Sequence, residues 1–492
     1  MSATPVGAGP SDMERLDTFT TEHKRYLERR TEHWNRVASR RIGVVSLHYR
    51  SRLVEIYRHV IGECDSILEV GCGNGDLLSA LEPKRGVGID LSPEMVEEAR
   101  RRHPQCEFIR ADAQTFELDH LPFDVIIMSD LLNDLWDVQA VFMHLRRYCN
   151  QHTRVVFNVQ SHLWESVRRF AETIGLVTPN LPQNWLTPID ARNLVDLSAL
   201  ELVRRWEEVL CPVPIPVLAR IFNRVLVKLP FFRTAALTNF YVARLPLDAV
   251  TRDAAPSVSV IIAARNEAGH IDELLHRVPE MGSHTQIIFV EGNSTDDTYE
   301  VIQRAVAESN RDCKLLKQAG KGKGDAVRAG FEAASGDILM ILDADITVPP
   351  EDLPRFFDVL VSGRGEFANG VRLVYPMEDD AMRFFNLLGN KFFSWAFSWL
   401  LGQPIRDTLC GTKVLWASDY RRIARGRSYF GDFDPFGDFD LLFGAARQNL
   451  RIVEVPIRYR ARRYGETNIE RWRHGWLLLK MVVFAARRIK FC

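Results

Sequence analysis

The sequence predicts two consecutive α/β domains, each organised around a largely parallel β-sheet. Three observations lead there. The chain has 492 residues, too long for one hydrophobic core, so more than one domain is expected. Short apolar runs of strand length alternate with helical periodicity over residues 66–158, and again over 258–342. Such alternation is the mark of parallel sheets with crossover helices. Between the two series, residues 248–257 are short, polar and contain one proline, which makes them the best linker.

Taken in order, residues 1–12 are expected to be disordered, and residues 13–62 have helical periodicity. Trp34, Val44, Val45, Leu47, Leu53, Ile56 and Tyr57 are the apolar positions expected to be buried there. Residues 1–35 are assigned to a disordered and helical extension, and 36–247 to the first domain. Strands are predicted at 66–70, 86–90, 107–110, 123–128 and 153–158. Two more, at 200–210 and 236–245, are joined by an apolar stretch with Pro212, Pro214 and Pro216. The second domain, 258–470, opens with strands 258–263, 286–290, 313–316 and 337–342. Helices at 269–278, 296–308 and 324–334 lie between them, and a late strand is predicted at 452–456.

Composition narrows the class. With 46% hydrophobic and 26% charged residues the chain is ordinary globular material, and a net charge of −1 gives no reason to expect a nucleic-acid partner. Basic residues outnumber acids between Arg451 and Lys490, which suits an anionic surface or a phosphate ligand. The eight cysteines show no zinc-type or C-x-x-C spacing and read as reduced thiols of a cytoplasmic protein. The first ten residues lack a basic and then apolar pattern, so no signal peptide is expected. No uncharged apolar run is long enough to predict a transmembrane helix.

Residues 381–402 and 470–491 stand apart. Both are rich in aromatic and aliphatic side chains, and the second, assigned as an amphipathic C-terminal helix at 471–492, is studded with Arg and Lys. They read either as core helices or as helices lying in a membrane interface. The second reading is favoured, because aromatic belts and basic heads suit headgroup depth. It places the protein peripherally on the cytoplasmic face of a membrane.

Two constellations carry chemistry. In the first, the apolar strand Ile67-Leu68-Glu69-Val70 runs into Gly71-Cys72-Gly73-Asn74-Gly75, a turn whose glycines let the backbone approach a ligand. The next strand ends at Asp90, where a carboxylate can accept hydrogen bonds from both hydroxyls of a ribose. A third ends at Arg110-Ala111-Asp112-Ala113, a place for an acid to meet an adenine amine, and the fourth at Ser129-Asp130. The spacing is G-x-G-x-G, not the G-x-G-x-x-G of dinucleotide binders.

These motifs resemble the class I S-adenosylmethionine-dependent methyltransferases over roughly residues 36–246. The resemblance implies a Rossmann-like seven-stranded sheet. It implies that Glu69, Gly71 and Gly73 line the methionine side of S-adenosyl-L-methionine, that Asp90 holds the ribose, and that Asp112 and Ala113 meet the adenine. Ser129, with Asp130, would lie beside the transferred methyl group. Asn133, Asp134 and Trp136 border the expected opening, and His144 reads as structural.

The second constellation centres on Asp343 and Asp345, delivered by the apolar strand that ends Met340-Ile341-Leu342-Asp343. Two acids so close raise each other's pKa unless a cation separates them. Carboxylates that hold a hard cation together with phosphate oxygens are the Mg²⁺ pattern of nucleotide sites. Around them stand Ala264-Arg265-Asn266-Glu267, Glu291-Gly292-Asn293-Ser294-Thr295-Asp296-Asp297, Lys321-Gly322-Lys323-Gly324, and Arg462-Arg463-Tyr464-Gly465-Glu466-Thr467. Asp296 and Asp297 also suit a helix cap.

Together these resemble family-2 glycosyltransferases of GT-A fold, and especially the polyprenyl- and dolichyl-phosphate sugar synthases. The resemblance implies that Glu267, Glu291, Lys323 and Asp343 bind a nucleotide-sugar, with Asp343 and Asp345 holding Mg²⁺ or Mn²⁺. Asp438 matches the position of a catalytic base. Arg372, Arg383 and Arg462 are placed to clamp an acceptor phosphate. Gly292, Thr347 and Thr467-Asn468 depart from the family pattern.

The implied function is a bifunctional transferase: inverting, metal-dependent sugar transfer to an acceptor, with polyprenyl phosphate favoured, plus methyl transfer. The alternative is a glycosyltransferase whose methyltransferase-like domain is catalytically silent. A nucleotidyltransferase is disfavoured by the late Arg-Tyr-Gly-Glu-Thr segment and by the lack of an early glycine-rich nucleotide loop.

Overall fold

The computed structural model describes residues 12–40, 43–62, 64–119, 122–177, 180–247, 255–372, 384–427, 439–459 and 471–491. The chain divides into two compact units, Met1–Leu245 and Pro246–Cys492.

The first unit holds seven strands: β1 (Ser66–Val70), β2 (Arg85–Asp90), β3 (Glu107–Arg110), β4 (Val125–Met128), β5 (Arg154–Gln160), β6 (Glu201–Glu208) and β7 (Thr238–Arg244). Their order in the sheet is β3-β2-β1-β4-β5-β7-β6, with β7 antiparallel to both its neighbours. The first five strands are parallel, and four of β1's five residues and all of β4 are buried, as strands covered on both faces should be. Strand order reverses between β1 and β4. Ligands in open α/β sheets bind at such a switch point, beyond the carboxyl ends of the strands.

Two helices precede β1, Asp12–Ala38 and Val44–Ile61. Leu53, Ile56 and Tyr57 are buried as expected, but Val44 is 69% and Leu47 51% exposed. Both lie in the first turn of their helix, before its buried stripe begins at Arg52.

The second unit holds β8 (Val258–Ala264), β9 (Thr285–Glu291), β10 (Cys313–Lys317), β11 (Ile338–Asp343), β12 (Phe367–Val371), β13 (Lys413–Trp416) and β14 (Ile452–Pro456). The order is β10-β9-β8-β11-β13-β12-β14, with β13 antiparallel to β11 and β12. β8, β9, β10 and β11 run parallel, and the order reverses between β8 and β11. Helices Ile271–Arg277, Thr298–Glu308 and Lys323–Ala333 are the crossovers.

β12 and β13 were not legible in the sequence. β12 reads Phe-Ala-Asn-Gly-Val, with an asparagine and a glycine that weaken strand propensity, and β13 opens on the fully buried Lys413. Both are held by tertiary partners; Asn369 Nδ2, for example, donates to the Asp407 carbonyl at 2.8 Å.

The aromatic helices each have two faces. In Phe384–Leu401, Phe397, Leu400 and Leu401 are buried while Phe392 and Trp395 are exposed. In Arg471–Ala485, Leu478, Met481 and Ala485 are buried while Trp476 and Val483 are exposed. Among the described residues, no helix is long and apolar enough to cross a membrane.

Candidate functional sites

In the first unit, the turn after β1 folds under the end of β2. Gly71 N and Cys72 N donate to the Ile89 carbonyl at 2.7 and 2.9 Å. Gly71 and Gly73 have φ of +75° and +52°, in the left-handed region. A side chain at Gly71 would strike Leu131, whereas one at Gly73 would meet nothing within 4 Å. Gly73 therefore faces open volume, the cradle a ligand needs.

Asp90 grips this turn. Its carboxylate accepts from Gly73 N at 2.8 Å and from Ser92 N at 2.9 Å, and burial pushes its pKa up. Each oxygen keeps a second lone pair. Glu69 is 2% exposed and accepts from Leu78 N at 3.0 Å; burial pushes its carboxyl up to about 8.

Glu69, Gly71, Gly73, Asp90 and Ser129 line a cavity of about 780 Å³. Asp112 and Ala113 line a smaller one of about 80 Å³, which shares Gly71 and Asp90 with the first. All seven residues predicted for the cofactor thus converge on two adjoining cavities at the switch point. The open space over Gly73 and the carboxylate at Asp90 fit S-adenosylmethionine.

Asp130 is held in a strained conformation, with φ +52°. Tyr49 Oη donates to Asp130 Oδ1 at 3.0 Å, Asn158 Nδ2 donates to the same oxygen at 2.5 Å, and Tyr57 Oη donates to Asn158 Oδ1 at 2.6 Å. Burial pushes Asp130 up. Tyr49, Tyr57 and Asn158 were missed by sequence reasoning, since lone polar residues on a helix and a strand give no pattern.

Helix Asp12–Ala38, assigned to the extension, packs against the loop after β4. Arg30 Nη1 donates to Asp134 Oδ1 at 2.6 Å, Trp34 Nε1 to Asp134 Oδ2 at 3.0 Å, and Tyr26 Oη to the Asp134 carbonyl at 3.1 Å. Asp134 is thereby committed to structure. Asn133 is likewise tied, donating to the Asn184 carbonyl at 2.7 Å. His144 Nε2 meets the Phe116 carbonyl at 2.7 Å, a structural role.

The raised pKa of Glu69 yields a first prediction. Between its ordinary value of 4.5 and about 8, the folded chain holds a proton that the unfolded chain releases. Stability contributed by this group is therefore complete at low pH and lost as pH rises through about 8. Glu69→Gln removes that loss, so the variant should gain on the order of 2–4 kcal/mol over wild type at pH 9 relative to pH 5. Thermal unfolding followed from pH 5 to 9 reads this; an offset that does not vary with pH would contradict it.

In the second unit, Glu267 follows β8, Glu291 ends β9, Lys323 opens its helix and Asp343 ends β11. All four lie at the carboxyl edge of the parallel strands. Glu291 is 1% exposed and accepts from Ser294 N at 2.5 Å. Glu267 faces His270 Nδ1 at 2.9 Å. Lys323 Nζ donates to Asp343 Oδ1 at 2.5 Å. Burial alone would push Asp343 up, but Lys323, Lys413 and Arg372 outweigh it and hold the carboxyl below its ordinary value. Asp345 accepts from Thr347, through N at 3.2 Å and Oγ1 at 2.7 Å, so the departure at Thr347 serves to orient the second acid. Among the described residues, no cluster of three acidic, His or Cys side chains could hold a metal alone. The doublet fits a hard cation that completes its shell with substrate phosphate oxygens.

Arg372, expected at an acceptor phosphate, forms a fork on Asp407, with Nε donating to Oδ2 at 2.7 Å and Nη2 to Oδ1 at 2.8 Å. Asp407 also accepts from Leu409 N at 3.0 Å and Cys410 N at 3.2 Å, which shapes the loop before β13. That loop carries Gly411, where a side chain would lie 2.1 Å from Asp343 Oδ2 and 2.4 Å from Lys323 Nζ. Only glycine leaves room for the pair. Asp407, Gly411 and Lys413 were missed, although an acid, a glycine and a lysine six residues apart in Asp407-Thr-Leu-Cys-Gly-Thr-Lys413 were an available signal. Asp438, Arg383 and Arg462 lie outside the described residues.

Arg372→Ala leaves Asp407, 2% exposed, without its counter-charge. The unfolding transition of the second unit should fall by about 3–5 kcal/mol, and Arg372→Lys should recover only part, lacking the fork. A thermal scan that left this transition unmoved would contradict the assignment.

Known families and proteins match each half separately. Residues 67–152 match the family model "Methyltransferase domain", and residues 259–414 match "Glycosyl transferase family 2". A low-salt glycan biosynthesis hexosyltransferase, Agl6, of Haloferax volcanii is 27% identical over 241 residues, 48% of this chain and 55% of that protein. A dolichol-phosphate mannosyltransferase of Pyrococcus furiosus is 28% identical over 247 residues, 48% of this chain and 67% of that protein. The chain thus spans little more than half of the first relative's length. The solved structure of an S-adenosylmethionine-dependent methyltransferase from Clostridium acetobutylicum aligns with a TM-score of 0.28 and 14% identity, covering 40% of this chain and 91% of that one. By these matches the first unit is similar to methyltransferase domains and the second to family 2 glycosyltransferases.

Proposed function

We propose that this protein is a bifunctional transferase. Its second unit moves a sugar from a nucleoside-diphosphate donor to a polyprenyl phosphate at a membrane surface. Its first unit moves a methyl group from S-adenosylmethionine to a separate acceptor. One observation carries the reading: in both units the motif residues meet at the carboxyl edge of the parallel strands, where strand order reverses.

In the second unit, Glu267 and Glu291 bind the nucleoside and Lys323 neutralises the diphosphate. Asp343 and Asp345 would hold Mg²⁺ or Mn²⁺, which when bound stabilises charge on the leaving diphosphate. Attack from the opposite face of the anomeric carbon gives inversion. A phosphate acceptor is already ionised; Arg383 and Arg462 would hold it, while Arg372 positions the loop that makes room for Asp343 and Lys323. For a hydroxyl acceptor, Asp438 would take the proton. The mannosyltransferase named above supports the lipid-phosphate acceptor, as do the exposed Phe392, Trp395 and Trp476 on the aromatic helices. These helices would seat the protein on the cytoplasmic face of the membrane.

In the first unit, Asp90 holds the ribose, Asp112 and Ala113 meet the adenine, and Glu69, Gly71 and Gly73 line the methionine side. S-adenosylmethionine, when bound, supplies an electrophilic methyl group. Asp130, fixed by Tyr49 and Asn158, would take a proton from the acceptor.

Two assays test the proposal on the wild-type chain. Calorimetric titration should show S-adenosylmethionine binding. Incubation with nucleotide-sugars, polyprenyl phosphate and Mg²⁺ or Mn²⁺ should yield a lipid-linked sugar. A water-soluble glycan as sole product would overturn the lipid acceptor. Binding of S-adenosylmethionine with no methylated product from any cell extract would leave the first unit a silent ligand-binding domain.

A further inference from the structure

The large cavity of the first unit is longer than its cofactor motifs. Glu69, Gly73 and Asp90 line it. The same cavity is also lined by apolar side chains remote in sequence from those motifs: Val167 and Phe170 of the helix Glu165–Thr173, Ile174 just after it, and Pro212, Val213 and Leu237 from the chain between β6 and β7. The helix Glu165–Thr173 buries none of its residues; Val167 is 54% and Phe170 67% exposed. Its apolar side chains line a space that protein atoms do not fill.

This apolar lining continues onto the outer surface. Trp164 Nε1 donates to the Ala235 carbonyl at 2.9 Å and ties the helix to the segment after β6. From Pro212 to Phe232 that segment exposes Val217 (70%) and Phe231 (84%), together with Ile215, Leu218, Ile221 and Val225. Val44 and Leu47 are exposed on the neighbouring helix, beside Val45 and Ser46 of the cavity rim. Monomeric proteins rarely leave so much contiguous apolar surface uncovered without a use.

Charge says what covers it. No Asp or Glu occurs between Glu208 and Asp248, a stretch that holds Arg220, Arg224, Lys228, Arg233 and Arg244. Arg220 and Arg233 are exposed among the apolar side chains. The acids of the helix Glu165–Thr173 are paired: Glu165 with Arg169 and Glu172 with Arg168. Apolar groups interleaved with cations and depleted of anions match the interface of an anionic bilayer, and match a soluble protein partner poorly.

We propose that residues 212–232 dock on an anionic lipid surface and that the apolar wall of the cavity receives the hydrocarbon chain of a lipid, so that the methyl acceptor of the first unit is itself a lipid. The proposal rests on the methyltransferase reading of the site. Pro212 and Val213 line the cavity and also begin the exposed segment, so the docking face and the chain pocket share residues.

Hydrogen–deuterium exchange on the full chain tests this locally. The probe is vesicles of phosphatidylcholine and phosphatidylglycerol at 7:3, with phosphatidylcholine vesicles as control. The expected result is slowed exchange in peptides covering 212–235 and 163–177 with the anionic vesicles, and much less with the neutral ones. Val217→Asp with Phe231→Asp, both at exposed positions, should abolish this protection without moving the unfolding temperature. It should leave any protection at residues 471–491 unchanged. Protection confined to residues 389–401 and 471–491, or none, overturns the proposal. Protection of 212–235 without 163–177 overturns lipid uptake. Titration of S-adenosylmethionine alongside keeps the two readings apart: lipid protection without cofactor binding removes the methyl reaction and leaves a lipid site.

Discussion

Replacing Asp345 by alanine is expected to lower sugar transfer by roughly 10²–10³-fold, the cost of removing one preorganised group from a charge-stabilising site. The argument starts at β11, whose apolar run positions Asp343 at a strand end and Asp345 just beyond it. Thr347 fixes one oxygen of Asp345 with two hydrogen bonds, so the carboxylate is aimed before any ligand arrives. Asp343 is already engaged by Lys323. Losing Asp345 therefore removes the second acid of the proposed metal doublet, the one that Thr347 orients. The variant should retain donor affinity better than turnover, because Glu267, Glu291 and Lys323 remain. The measurement is kcat and KM for donor turnover across a Mn²⁺ titration. Raised metal demand with low kcat is the expected pattern; wild-type kcat would remove the metal assignment. Binding of S-adenosylmethionine should not change, since Asp345 belongs to the other unit.

Gly73→Arg should weaken S-adenosylmethionine binding by about 100-fold or more, at a stability cost of only about 1–2 kcal/mol. Each such tenfold is about 1.4 kcal/mol. At φ +52°, any residue with a Cβ pays about 1–2 kcal/mol in the left-handed region. A Cβ at this position meets no protein atom within 4 Å, so the side chain enters the cavity and does not strain the core. It also brings a positive charge to the place where a sulfonium would lie. The contrast is Gly75, where a Cβ would sit 2.5 Å from Phe108 Cζ; Gly75→Ala should damage folding of the first unit instead. Calorimetry and a thermal scan separate the two outcomes. Full affinity in Gly73→Arg would mean that the cavity is not the cofactor site.

Much of the fold was readable because parallel strands buried on both faces are long apolar runs. β1, β9 and β11 are of this kind, and their predicted limits fall within a residue of those observed. The motif residues were readable for a related reason. A ligand at a sheet edge is served by residues at the carboxyl ends of the strands; Asp90, Glu291 and Asp343 are the last residues of theirs, and Glu69 is the last but one of β1. β12 and β13 escaped because their side chains answer to partners across the sheet. The partner of Arg372 escaped for the same reason: an arginine in sequence is a charge, and only the fold shows that Asp407 pairs with it.

By itself, then, the sequence determined two α/β units and the acids and glycines that gather at their sheet edges, since strand periodicity and turn chemistry are local properties of the chain. Tertiary structure alone decided what those residues touch. It set Lys323 on Asp343, gave Gly411 its reason, locked Asp130 between Tyr49 and Asn158, and opened an apolar chamber beyond the cofactor turn. Contacts between residues far apart in sequence depend on packing geometry, which no short window of residues encodes.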